Sequence, residues 1–82
     1  MTVRCVRQIN RCDKEFLTIG NIYKARINPE WYDFYVEDDE LIAQDNGQMG
    51  NGCSRLSFEF VDGTPEEKAL WDYCEENGID GL

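Results

Sequence analysis

The chain contains no histidine, no Cys-x-x-Cys pair and no apolar run long enough to cross a bilayer. Without histidine, a serine or cysteine nucleophile lacks its commonest base, and acid–base work falls to carboxylates. The four cysteines, Cys5, Cys12, Cys53 and Cys74, are separated by six, forty and twenty residues. Those gaps offer no local chelating loop, so the spacing favours small buried hydrophobes at Cys5 and Cys74 over a zinc site. A membrane span needs about 20 apolar residues, and Met1-Thr2-Val3-Arg4-Cys5 carries no apolar signal core. A soluble, cytoplasmic protein with reduced thiols and no cofactor is expected.

Basic side chains are also scarce, 8 against 17 acids for a net charge of −9. Six of the eight lie in residues 1–26 with only Asp13 and Glu15 opposing them, so that third stands at +4. Residues 27–82 hold Arg55 and Lys68 against fifteen carboxylates and stand at −13. Such a surface repels phosphate and attracts basic partners. A hydrophobic fraction of 41% with ten aromatic residues is too apolar for a disordered acidic tail, and 82 residues make one domain spanning 1–82.

Val3-Arg4-Cys5-Val6-Arg7 reads as a half-buried strand, followed by a polar loop over Asn10-Arg11-Cys12-Asp13-Lys14-Glu15. Gly20-Asn21 tolerates positive φ and supplies a turn into Ile22–Ile27, whose alternation puts Tyr23 and Ala25 on one face. Pro29 ends that strand. The aromatic run Trp31–Val36 and Leu41–Gln44 read as a hairpin whose tip is Glu37-Asp38-Asp39-Glu40. Three glycines and two asparagines in residues 45–52 predict a mobile loop, and Phe58–Val61 a last strand. Thr64-Pro65-Glu66-Glu67 is a capping box with proline at the first helical position. Leu70, Tyr73, Cys74 and Asn77 then share one face with Trp71 at its border, and Asn77-Gly78 is the left-handed stop.

Five short strands and one helix predict a mostly β (α+β) fold, a small bent barrel over residues 2–62 with a C-terminal α-helix over 65–77. Across residues 3–61 the segments Leu17-Thr18-Ile19-Gly20-Asn21-Ile22-Tyr23, Trp31–Asp39 and Ser54-Arg55-Leu56-Ser57-Phe58-Glu59-Phe60-Val61 resemble small bacteriophage and prophage proteins of unknown function. Those share a Leu-Thr-x-Gly-Lys-x-Tyr turn and a late Ser-Arg-Phe step. Asn21 here replaces the usual lysine and Leu56 the commoner phenylalanine. The resemblance implies a five-stranded Src-homology-3-like barrel and a viral context, with no active residues.

The four acids of the tip lack the glycine and ligand spacing of a calcium loop and read as a solvated turn. The stretch 47–52 lacks the lysine and helix of a phosphate cradle. If Tyr32 and Phe34 point inward, Trp31 and Tyr35 point outward, either as interface anchors or beneath the C-terminal helix. The basic N-terminal group has its simplest role in cross-strand pairing with the acidic second hairpin, leaving no direct nucleic-acid contact. The expectation is a non-catalytic module that binds a protein partner with a basic surface through Glu37, Asp38, Asp39, Glu40, Asp72, Glu75 and Glu76, anchored by Trp31 and Tyr35. In a viral setting it would inhibit a host defence or nucleic-acid-handling protein. The alternative is a structural domain that forms a homodimer through its aromatics.

Overall fold

The computed structural model describes residues 1–9, 11–41, 43–45 and 54–79, the side chains at 12 and 43–45 excepted. The glycine-rich stretch expected to be mobile and the thiols of Cys12 and Cys53 lie outside the described residues. The elements run β1 (Thr2–Cys5), α1 (Arg11–Phe16), β2 (Ile22–Ile27), β3 (Phe34–Glu37), β4 (Ala43–Asp45), a 3-10 turn (Arg55–Ser57), β5 (Phe58–Asp62) and α2 (Pro65–Glu76). The architecture is a mostly β, α+β fold: one antiparallel sheet in the order β4-β3-β2-β1-β5 with α2 packed on it. Among the described residues β4 and β5 do not pair, so the sheet is open between its outer strands.

The alternation read from Ile22–Ile27 holds, with Tyr23 and Ile27 buried, Ala25 partly so, and Lys24 and Arg26 exposed. Only Gly20 of the Gly20-Asn21 pair takes positive φ, at 93°, and the turn closes through Asn21 N–H to the Thr18 carbonyl at 3.1 Å. The core is Val3, Cys5, Leu17, Tyr23, Ile27, Phe34, Val36, Phe58, Trp71 and Cys74. Burial pushes both the Cys5 and the Cys74 thiol up from the ordinary value, which keeps them in the thiol form.

α2 begins as the sequence dictates. Thr64 accepts from the Glu67 N–H at 3.1 Å while Glu67 accepts from the Thr64 N–H at 2.9 Å. It ends on Gly78 at φ 64°, where the Ile79 N–H reaches the Cys74 carbonyl at 2.8 Å and the Gly78 N–H the Glu75 carbonyl at 3.4 Å, a Schellman stop.

Three expectations need correction. The segment read as a polar loop is α1, because buried Asp13 gathers contacts from both sides. Its carboxylate accepts from the Ile9 N–H at 3.0 Å and from the Ser57 hydroxyl, which comes from the far end of the chain. The strand expected at Trp31 starts only at Phe34. Asn28 instead closes a loop, its side chain accepting from the Glu30 N–H, its carbonyl from the Tyr32 N–H, and its own N–H donating to the Asp33 carbonyl. Finally, Trp71 is central to the buried face of α2 rather than at its border, lying 6.2 Å from Phe34 and 6.0 Å from Phe60 between ring centroids. Tyr73 takes the border, 45% exposed and stacked on Tyr32 at 5.2 Å.

Candidate functional site

The turn between β3 and β4 keeps Glu37, Asp39 and Glu40 exposed, as a solvated turn should, and departs from that expectation at Asp38 alone. Asp38 is 1% exposed and its side chain accepts from the Glu40 N–H at 2.8 Å, so it shapes the turn and is not available to a partner. Asp39 is tied to the β1–β2 turn: one oxygen accepts from the Tyr23 hydroxyl at 2.6 Å, the other from the Thr18 hydroxyl at 2.8 Å, and its N–H donates to the Phe16 carbonyl at 2.9 Å. The Tyr23 hydroxyl in turn accepts from the Thr18 N–H at 2.7 Å. Burial first, and then the Asp39 carboxylate, push the Tyr23 phenol above its ordinary range.

This network fastens the tip to the β1–β2 turn, with Glu37, Asp39, Glu40 and Leu41 exposed. Leu41 is 78% exposed and sits at φ 61°, in the left-handed region that leucine avoids. Beside it an open cleft of about 410 Å³ is floored by Ile22, itself half exposed, and edged by Asn21, Lys24 and Glu37. Ile19, also exposed, lies in the turn that Thr18 fastens to Asp39. The tip therefore presents exposed apolar groups edged by Glu37, Asp39, Lys24 and Asn21.

The other expected contacts do not join it. Trp31 is 75% exposed but stands at the opposite end of β3, about 13 Å of strand away. Tyr35 is half-buried and its ring is already occupied by the Arg26 guanidinium at 4.3 Å. On α2, Asp72 pairs with Lys68 at 2.8 Å and Glu75 faces Arg55 at 3.5 Å, while Glu76 is exposed and does not line the cleft at the tip. The pairing expected between the basic first hairpin and the acidic second is not among the described ion pairs; Arg4 instead pairs with Glu59 of β5 at 2.7 Å.

Sequence reasoning missed Ile22 and Leu41 as surface anchors, reading both as strand residues. The signal for Leu41 is its place directly after four acids, in a turn rather than in a strand. It also missed Arg55, 4% exposed, whose Nε donates to the Ile79 carbonyl at 3.2 Å and whose guanidinium lies 5.1 Å from the centre of the Trp71 ring. Among the described residues no helix is long and apolar enough to cross a membrane. No protein-family model, curated protein or solved structure matches the chain.

Proposed function

We propose that the protein is a non-catalytic acidic binding module that engages a basic protein surface through the β3–β4 tip. The observation that carries this reading is Leu41. A leucine held at positive φ costs about 1–2 kcal/mol, and full exposure forgoes roughly another 1.5–3 kcal/mol of burial. Strain of this kind persists where the surroundings over-determine it and clusters at functional sites; Tyr32 shares the 61° φ but is not left as exposed as Leu41. Here the strained residue is flanked by Glu37 and Glu40 and faces the exposed Ile22. The carboxylates act on encounter with a cationic surface, and Leu41 with Ile22 provides the desolvated contact that holds the complex.

The fold belongs to this proposal in its finer form. A Src-homology-3-like barrel fits the meander from β2 to β4, the return of β5 beside β1, and the 3-10 turn that leads into β5. With the phage resemblance, the partner becomes a cytoplasmic host protein whose basic surface ordinarily meets nucleic acid, and the carboxylates occupy the place of phosphates.

The test compares capture from host lysate by the unaltered protein, Leu41→Ser, and the double variant Glu37→Gln/Glu40→Gln. A basic protein held by the first, dissociating faster from Leu41→Ser and associating more slowly with the charge variant, is the expected result. Equal capture by all three would remove the tip as the site. The second reading, self-association, is favoured by Trp31, the most exposed aromatic side chain, near the Tyr32–Tyr73 stack. A mass that rises with concentration, survives high salt and falls to monomer in Trp31→Ala would establish it instead.

A further inference from the structure

On the far side of the sheet from β4, β5 ends the strand order, and the backbone hydrogen bonds of its ladder go to β1 alone among the described residues. Native edges are commonly blunted by proline or lysine, yet Phe58-Glu59-Phe60-Val61-Asp62 contains neither. Between this edge and α2 runs a groove of about 410 Å³. Lys68, Trp71 and Glu75 line it from one face of the helix, Phe58 and Phe60 from the strand, and Arg7 with Arg55 at its end.

We propose that this groove takes an extended, carboxylate-bearing segment of a protein partner as an added strand on β5. An edge strand beside a helix is the arrangement in which an added segment gains main-chain hydrogen bonds while alternate side chains drop onto the floor between them. The floor here is Phe58, Phe60 and Trp71.

The charge of the groove selects the segment. Three cations, Arg7, Arg55 and Lys68, line it against Glu59 and Glu75, within a chain whose net charge is −9, and Lys68 is paired with Asp72 at 2.8 Å and lies 5.1 Å from the centre of the Phe60 ring. Glu59 is held by Arg4 on the neighbouring strand, outside the groove lining. Glu75 is 58% exposed and only 3.5 Å from Arg55, at the outer limit of a hydrogen bond. The Nη2 of Arg55 donates to none of the described residues although the side chain is 4% exposed, and Arg7 is exposed at the same end. A guanidinium that is nearly buried, over the Trp71 ring and incompletely paired at the wall of a groove is placed to receive a carboxylate, and Arg7, whose Nη1 already donates to the Leu56 carbonyl, offers its remaining N–H groups. This site is separate from the β3–β4 tip and does not rest on the reading of the tip.

The experiment titrates the full chain with three blocked peptides and follows it by 15N–1H correlation spectra. The first peptide alternates valine and threonine around a central glutamate, the second replaces that glutamate by glutamine, and the third keeps the glutamate but is N-methylated at alternate amides. The glutamate peptide is expected to shift the amides of Phe58–Asp62 and the indole N–H of Trp71, leaving Leu41 unmoved. The glutamine peptide should bind about tenfold more weakly, and the N-methylated one at least as poorly. Arg55→Ala is unsuited because it would also unpin the end of α2, so Arg7→Gln is used. It should weaken the glutamate peptide several-fold without changing the glutamine peptide, while Leu41→Ser changes neither. The proposal is overturned by equal affinity for all three peptides, by shifts confined to the tip, or by the absence of any shift. It is also overturned if the β5 amides move with protein concentration alone, which would make a second copy of the chain the occupant.

Discussion

The β3–β4 tip and the β5–α2 groove lie on one small protein and are built in opposite ways. At the tip, a hydrogen-bonded frame joins buried Asp38 and Tyr23 to exposed Asp39 and Thr18, and Glu37, Glu40 and a strained Leu41 stand in solvent beside it. At the groove, the charged group itself is nearly buried: Arg55 lies over Trp71 and ties down the end of α2. Chain position therefore misleads about where charge is displayed. The first third holds most of the cations, but the groove draws Arg7 from that third and Arg55 and Lys68 from the acidic remainder. Conversely, one of the four tip acids, Asp38, is buried in the turn, and a second, Asp39, is exposed but tied to Tyr23 and Thr18.

The widest gap expected from this contrast is between the two tryptophans. Trp71→Ala removes a 2%-exposed ring packed on Phe34 and Phe60 and should cost about 4 kcal/mol in denaturant unfolding. Trp31→Ala, at 75% exposure, should change stability by no more than about 0.5 kcal/mol. Comparable losses would mean that Trp31 is covered by part of the chain and the aromatic end of β3 is core.

A smaller effect tests the frame beneath the tip. Tyr23→Phe leaves Asp39 and the Thr18 N–H without their shared hydroxyl and should cost about 1–1.5 kcal/mol. The same network predicts a pH response. The phenol is raised in the folded state above its ordinary value of 10.0, so its contribution is complete below pH 10 and is lost as pH climbs through the folded value. Stability should fall at alkaline pH less steeply in Tyr23→Phe than in the unaltered chain; parallel curves would separate Tyr23 from the effect. Smaller again, and local to neither site, Thr64→Ala removes the acceptor for the Glu67 N–H and should cost about 1 kcal/mol. An unchanged midpoint would show that the cap is dispensable.

What could be read from the sequence follows the range of the forces involved. The capping box and the glycine stop of α2 depend on residues three or four apart, so their spacing announces them. The β2 alternation survives for the same reason, whereas β3 starts three residues later than its aromatic run suggests. α1 does not, because Asp13 is organised by Ser57, 44 residues away. Likewise nothing near Arg55 foretells its burial, which requires Trp71 and Ile79 to fold over it. The acidic run is legible as a turn, but the roles of its members are not: Asp38 is buried in the turn it closes, and exposed Asp39 is fastened by Tyr23 and Thr18, brought alongside from another hairpin. The buried face of α2 was read slightly off centre because the sheet, through Phe34 and Phe60, chooses Trp71 over Tyr73.

Leu41→Gly separates strain from use at the tip most directly. Glycine accepts the 61° φ without a Cβ penalty, which outweighs the entropy it loses on folding, so unfolding free energy should stay level or rise by up to about 1 kcal/mol. Measured on the same samples, dissociation from the captured basic partner should quicken about tenfold or more as the apolar anchor is lost. A variant that is as stable as the unaltered chain and releases its partner at the same rate would contradict the assignment of the tip as the binding surface.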